Sequence, residues 1–305
     1  MSDTNFIKDN LYGSVPTQVA NEVIKNIVEE SIAFNICRHT SMESEKKVIP
    51  MLKDTGRAFW VDEAEDISTS VQNWQYPELV AKKLAVIVPV TREKVEDSVL
   101  NVMNEIKSGI KDAFVRAIDS AVFFGTDSPF DTSIFGTASN SIELQEGIGI
   151  DELISDAMGK IEENDFVPNG IIAPTKAKNT LRKLRDKDGN AIVLMGGISG
   201  SSIYNTPIYY PTSKTFDTKK AEYLVGDFNR AIIGTREGID YEVLSQATVG
   251  GINLAEKDMI AIKCRMRFGF KIVDGRAFSK IILPKTELQE DDLHQYYNEE
   301  DYDNE

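Results

Sequence analysis

The sequence predicts an α+β protein organised around one long helix, and three observations lead to that class. From Thr91 to Gly125 apolar residues recur in steps of three and four, at Val95, Val99, Val102, Ile106, Ile110, Ala113, Ala117 and Ala121. Leu100, Met103, Phe114, Ile118 and Val122 lie beside them, so the stretch forms one helix with one wide buried stripe. Ahead of it, residues 46–90 hold short runs rich in Val, Ile and aromatics that read as strands. Behind it, residues 141–252 follow a helix–strand–helix–strands order without the regular alternation of a doubly wound sheet.

Composition bounds the function. The chain has 305 residues, 41% hydrophobic and 27% charged, as expected of a soluble globular protein of one large or two ordinary domains. No run reaches the ~18 apolar residues of a membrane span. The opening MSDTNFIKDNLYG lacks the apolar core of a signal peptide, so the chain is expected to stay in the cytosol. Lys+Arg minus Asp+Glu is 34 − 49 = −15, which removes any global pull toward phosphate backbones. Such a protein can enclose nucleic acid but is not built to grip it. Residues 284–305 concentrate nine acids (Glu287, Glu290, Asp291, Asp292, Glu299, Glu300, Asp301, Asp303, Glu305) against Lys285, the composition of a solvated tail.

Taken in order, residues 1–14 read as an extended arm. A helix is predicted over Val15–Ile36 from Val19, Val23, Ile27 and Ile32, with Ile24 and Val28 alongside and Pro16 in its first turn. KKVIPML (46–52) and RAFWV (57–61) read as strands, and Lys46 to Gln75 as a long two-stranded ribbon whose tip is the polar DEAEDISTS (62–70). An isolated ribbon is marginal in water, so this one must lie on its own body or on a neighbour. Phe59, Trp60, Trp74 and Tyr76 favour the neighbour, since aromatics anchor interfaces; packing on the chain's own core is the alternative. Asp62, Glu63, Glu65 and Asp66 lack the spacing of a calcium loop and read as a solvated tip or as partners for cations on a neighbour, with Lys82, Lys83, Arg92 and Lys94 as such cations.

The run Leu84–Val90 leads to Thr91, a helix N-cap, and the long helix stops at Gly125. At 1.5 Å per residue it is about 50 Å long. A Gly/Ser/Thr-rich linker (125–141) follows. Asp151 is expected to cap a helix that buries Leu153, Ile154, Ala157 and Ile161. Ile171–Ala173 reads as a strand, and Thr175 as the cap of a basic helix over 176–185. MGGISGSS (195–202), with Gly196, Gly197 and Ser199, reads as a flexible loop. Further strands are expected at Ile203–Pro211, Glu222–Val225, Ala231–Gly234 and Tyr241–Leu244. From Asp258 onward, Lys263, Arg265 and Arg267 alternate with Ile262, Cys264, Met266 and Phe268, the pattern of a half-buried strand. Ala277–Leu283 is the last strand, expected with Ala81–Val90 and the strand after Asp258 in one sheet.

Catalytic patterns are missing from the sequence. His39 and His294 have no Cys or His partner at zinc spacing, and Cys37 and Cys264 read as buried reduced thiols. Gly197-Ile198-Ser199-Gly200-Ser201 fails the G-x-S-x-G pattern at its last position, and neither phosphate-cradling glycine motif occurs. No catalytic, cofactor-binding or metal residue is assigned. The chain reads as a structural protein whose function lies in its interfaces.

This order of elements resembles the HK97-fold major capsid proteins of tailed bacteriophages. The similar stretches are Ala58-Phe59-Trp60-Val61 with Glu63, Trp74 and Leu84–Val90; Gly226-Asp227-Phe228 with Ala231–Gly234; and Asp258–Arg265 with Val273–Phe278. The resemblance covers roughly residues 15–283. It implies an N-arm (1–43), an extended loop (44–80), a peripheral domain (81–140 with 253–283) containing the spine helix 91–125, an axial domain (141–252) and the acidic tail (284–305). It also implies hexamers and pentamers closing into an icosahedral shell around double-stranded DNA, with the extended loop over an adjacent subunit and Met195–Ser202 at the capsomer centre. A separate scaffolding protein and a portal are the implied partners. Encapsulin nanocompartment shells share this fold and stand as the alternative. A soluble ligand-binding or enzymatic α/β protein is the third reading.

Overall fold

The computed structural model describes residues 30–54, 56–63, 66, 69–96, 102–145, 148–185, 194–196, 200–212 and 214–284. They form two compact units, one drawing on 39–107 and 232–273 and the other on 30–38, 108–231 and 274–284.

Most of the expected helix 15–36 lies outside the described residues. Its end is a separate short helix, Ile32–Ile36, because Ser31 takes the cap: its side chain accepts from the Phe34 N–H at 3.3 Å. Then come strands β1 (Arg38–Ser41), β2 (Lys46–Val48), β3 (Met51–Asp54), β4 (Asn73–Gln75), β5 (Glu78–Val80) and β6 (Lys82–Thr91). Helices Arg92–Glu96 and Val102–Phe124 occupy the predicted helical stretch, and their junction lies outside the described residues. The second helix buries Ile110, Phe114, Ile118, Ala121 and Val122 of the predicted stripe. It ends at Gly125, whose φ of 68° is the left-handed conformation that glycine supplies after a helix.

Next are β7 (Asn140–Glu143), helix Ile150–Glu162, β8 (Gly170–Ile172), helix Ala177–Lys183, β9 (Leu194–Gly196), β10 (Gly200–Ile203), β11 (Thr206–Tyr209), β12 (Tyr223–Gly226), β13 (Ala231–Leu244), β14 (Thr248–Val249), β15 (Ile252–Asn253), β16 (Met259–Ile272) and β17 (Phe278–Ile282). Helix 150–162 buries the four expected residues, Leu153, Ile154, Ala157 and Ile161. Its N-cap is Gly149, so Asp151 lies in the first turn, where its charge suits the helix dipole. Lys176 holds the cap position of the next helix, while Thr175 donates instead to the Pro211 carbonyl at 3.2 Å.

In the first unit the sheet order is β1-β13-β16-β6. β16 pairs antiparallel with β6 from Met259↔Thr91 to Phe268↔Lys82, which joins the two stretches expected in one sheet. Pro89 is tolerated because β6 is an edge strand. Residues 231–244 form one continuous strand, not two short ones.

The second unit holds a seven-stranded mixed sheet, β7-β17-β12-β8-β11-β10-β9. β17, expected beside β16, pairs here with β12 antiparallel and β7 parallel. The four helix residues join Ile171, Ile208, Tyr223, Val225 and Ile281 in its core. Ile203–Pro211 is two strands, because Tyr204 and Asn205 both take positive φ (48° and 63°) and form a two-residue hairpin turn.

Candidate intersubunit surfaces

The ribbon exists as expected, in two pieces. β2 pairs with β5 from Lys46↔Val80 to Val48↔Glu78, and β3 with β4 from Met51↔Gln75. Pro50 and Pro77 fall between the two ladders and lack the N–H that a continuous ladder needs. The pairing ends in a bulge between Leu52 and Asp54. Arg57–Val61 was expected as a strand but is irregular, since the polar stretch opposite offers it no ladder. The Arg57 N–H donates instead to Ser70 Oγ at 2.7 Å.

Eleven large apolar side chains are exposed among the described residues, and seven of them lie in this ribbon: Val48, Leu52, Phe59, Trp60, Val71, Trp74 and Tyr76. Trp60 is 104% exposed and packs on nothing in its own chain, whereas Trp74, opposite Leu52, is 50% exposed. Apolar exposure concentrated in this way on one ribbon is characteristic of interaction surfaces. Asp62, Glu63 and Asp66 are exposed at its tip; Glu65 lies outside the described residues.

The root of the ribbon is closely packed. Leu79 and Ala81 form a buried cluster with Met42. Gly234 on β13 abuts Leu79 and Met42, and a Cβ on Gly269 of β16 would stand 2.9 Å from the Val80 carbonyl oxygen. These glycines let the two long strands approach the ribbon closely. Lys46 pairs with Glu78 at 3.0 Å, and Lys47 donates to Thr40 Oγ1 and to the Ser41 carbonyl, both at 2.6 Å.

Of the expected cations, Lys82 and Lys83 are exposed at the start of β6. Arg92 is committed within its own chain, in an ion pair with Asp258 at 3.0 Å. The expected flexible loop 195–202 is largely a hairpin: β9 and β10 pair from Leu194↔Ser202 to Gly200↔Gly196. Gly196 thus closes a strand, and Gly197 and Ser199 lie outside the described residues.

Two constellations were not read from the sequence. One is Asp119 on helix 102–124, only 2% exposed, which accepts from Ser31 Oγ at 2.6 Å and from the Ala33 and Ile32 N–H groups at 3.0 and 3.3 Å. It thereby holds the start of helix 32–36. Burial outweighs these bonds and raises its carboxyl from 3.8 to about 6. The only available signal was an acid set among Ala117, Ile118, Ala121 and Val122. The other is a row of ion pairs along β13 and β16: Lys263–Glu242 at 2.8 Å, Arg265–Asp240 at 2.7 Å and Arg267–Glu237 at 3.6 Å. The three cations expected on one strand face each meet an acid of the adjoining strand.

Both cysteines are buried free thiols, as expected. Burial pushes the Cys264 thiol up to about 12, which removes it from nucleophilic chemistry. Among the described residues no group of three His, Cys, Asp or Glu is placed to hold a metal ion, and no helix is long and apolar enough to cross a membrane.

Known proteins share this fold. The profile of the Phage capsid family matches residues 13–282. The major capsid protein of Staphylococcus phage 80alpha is 25% identical over 279 residues, covering 88% of this chain and 85% of that one. A solved chain from Microbacterium phage Oxtober96 superposes with a TM-score of 0.74 at 29% identity, covering 84% of this chain and 91% of its own length. A chain of the capsid of an empty GTA particle shares the fold, with a TM-score of 0.64 at 16% identity over 84% of this chain and 90% of its own length.

Proposed function

The chain belongs to the Phage capsid family, with the HK97-type fold of tailed-phage shells, and from that premise we propose how its surfaces build one. It is a major capsid protein, structural and not enzymatic, and copies of it assemble into the capsid of a virion. In the proposed arrangement the subunits form hexamers and pentamers that close into an icosahedral shell around double-stranded DNA. Residues 44–80 lie over an adjacent subunit, with Phe59, Trp60 and Trp74 covered there and Asp62, Glu63, Glu65 and Asp66 meeting cations such as Lys82 and Lys83. Residues 1–43 act as an arm, and 81–140 with 253–283 as the peripheral domain. Residues 141–252 form the axial domain, whose stretch Met195–Ser202, with Gly196, Gly197 and Ser199, lies at the capsomer centre. A scaffolding protein and a portal complete the assembly, which takes place in the host cytoplasm.

The observation that carries this reading is the aromatic ribbon, whose exposed Trp60 and Trp74 a monomer would leave in water. The net charge of −15 suits a wall that contains DNA without adhering to it. Electron microscopy of the purified protein, expressed alone and with the genes beside its own, tests the proposal. Closed shells and nuclease-protected double-stranded DNA are the expected outcome. Shells that hold a protein cargo and no DNA would transfer the chain to the nanocompartment class, and a uniform monomer under both conditions would refute the surface assignments.

A further inference from the structure

Helix 177–183 carries a concentration of positive charge in a chain whose net charge is −15. Lys176, Arg182, Lys183 and Arg185 are exposed, and no acid lies between positions 176 and 185. The segment from Thr212 to Ala221 adds exposed Lys214, Lys219 and Lys220. One end of that segment is hydrogen-bonded to the start of the helix, and the other lies near its charge. Thr175 donates to the Pro211 carbonyl at 3.2 Å. At the other end, burial raises the Glu222 carboxyl above its ordinary value and the nearby Lys176 charge draws it back. Of the seven exposed cations only Lys220 lies, among the described residues, within ion-pairing distance of a carboxylate, Asp217 at 3.7 Å.

The described chain ends close by. The Glu222 N–H donates to the Ile281 carbonyl at 2.8 Å, so Glu222 lies beside the end of β17 as well as near Lys176. Pro284 is three residues further on, at most about 10 Å of extended chain. Residues 286–305 then supply nine carboxylates and no Lys or Arg. Twenty extended residues reach up to about 70 Å, far more than the separation requires.

We propose that residues 286–305 dock on the basic face formed by Lys176, Arg182, Lys183, Lys214 and Lys219 of their own chain. Tethering gives the tail an effective concentration in the millimolar range at this face, which favours it over a neighbour's tail or a free polyanion. Bound there, the tail shields the cations from phosphate backbones. The inference stands apart from the shell assignment, since it concerns contacts within one chain.

Zero-length carbodiimide crosslinking of the full chain, as a mixture of ¹⁵N-labelled and unlabelled protein, is the test. At low salt, amides are expected between tail carboxylates and Lys176, Lys214 or Lys219 of the same isotopic species. Screening at 0.5 M NaCl, or the double substitution Arg182→Glu and Lys183→Glu, should cut their yield about fivefold. Deleting 286–305 should tighten binding of a short double-stranded DNA probe several-fold, and the double substitution should abolish that gain. Crosslinks confined to mixed-isotope pairs, no crosslinks at low salt, or a DNA affinity indifferent to the deletion would each overturn the proposal.

Discussion

Asp119 sits in a place where a charge is expensive. Its carboxyl, raised from 3.8 to about 6, binds a proton more tightly in the fold than in the unfolded chain. The stability it lends is therefore fully present below about pH 3.8 and is lost as pH rises through about 6, by about 3 kcal/mol in all. Asp119→Asn keeps an acceptor for Ser31 and Ala33 without the charge. The wild-type melting temperature should fall from pH 5 to pH 7.5 relative to that variant, and parallel profiles would count against the assignment. Asp119→Ala should destabilise at every pH, by about 2–4 kcal/mol in chemical denaturation, because it strands buried donors. None of this was legible in the sequence, since Ser31 lies 88 positions from Asp119. Leu153, Ile154, Ala157 and Ile161 were legible, because helical spacing alone sets their common face.

Among the elements, the ribbon depends on its root more than on its ladders. A Cβ at Gly269 would meet the Val80 carbonyl oxygen, a backbone atom that cannot rotate away. Gly269→Ala should cost about 1–3 kcal/mol by overpacking and speed limited proteolysis within 44–80. The ion-pair row on β13 and β16 is a useful contrast. Arg265 and Asp240 have side chains 41% and 51% exposed, so breaking their pair with Arg265→Gln should cost less than about 1 kcal/mol. A thermal shift for Arg265→Gln as large as that for Gly269→Ala would show this ranking to be wrong. The alternation that locates β16 was readable from its own residues, whereas its acidic partners depend on a register that only the folded sheet provides. The polar run Thr235–Gly238 likewise hid the continuity of β13, and the Tyr204-Asn205 turn lacks the glycine by which such hairpins are usually recognised.

For the molecule as a whole, the aromatic content of residues 57–76 was legible and favoured a neighbour's surface, but alternation alone left the chain's own core as the alternative. In the folded chain Leu79 and Ala81 are buried at the root, while Trp60 is fully and Trp74 half exposed beyond it. The ribbon should therefore be dispensable for folding and needed for assembly. Trp74→Ala trims a half-exposed ring outside the buried root, so the melting temperature of the unassembled subunit should move by no more than about 2 °C. In the proposed shell the same ring is covered once per subunit contact, and a truncated interface aromatic costs about 2 kcal/mol or more at each. Because every subunit would make and receive that proposed contact, the loss would repeat around the whole capsomer. Particle yield in gradient sedimentation should consequently collapse for Trp74→Ala and for deletion of 62–70, with soluble folded subunits in their place. Wild-type yield from either variant would mean that the ribbon lies on nothing the shell needs.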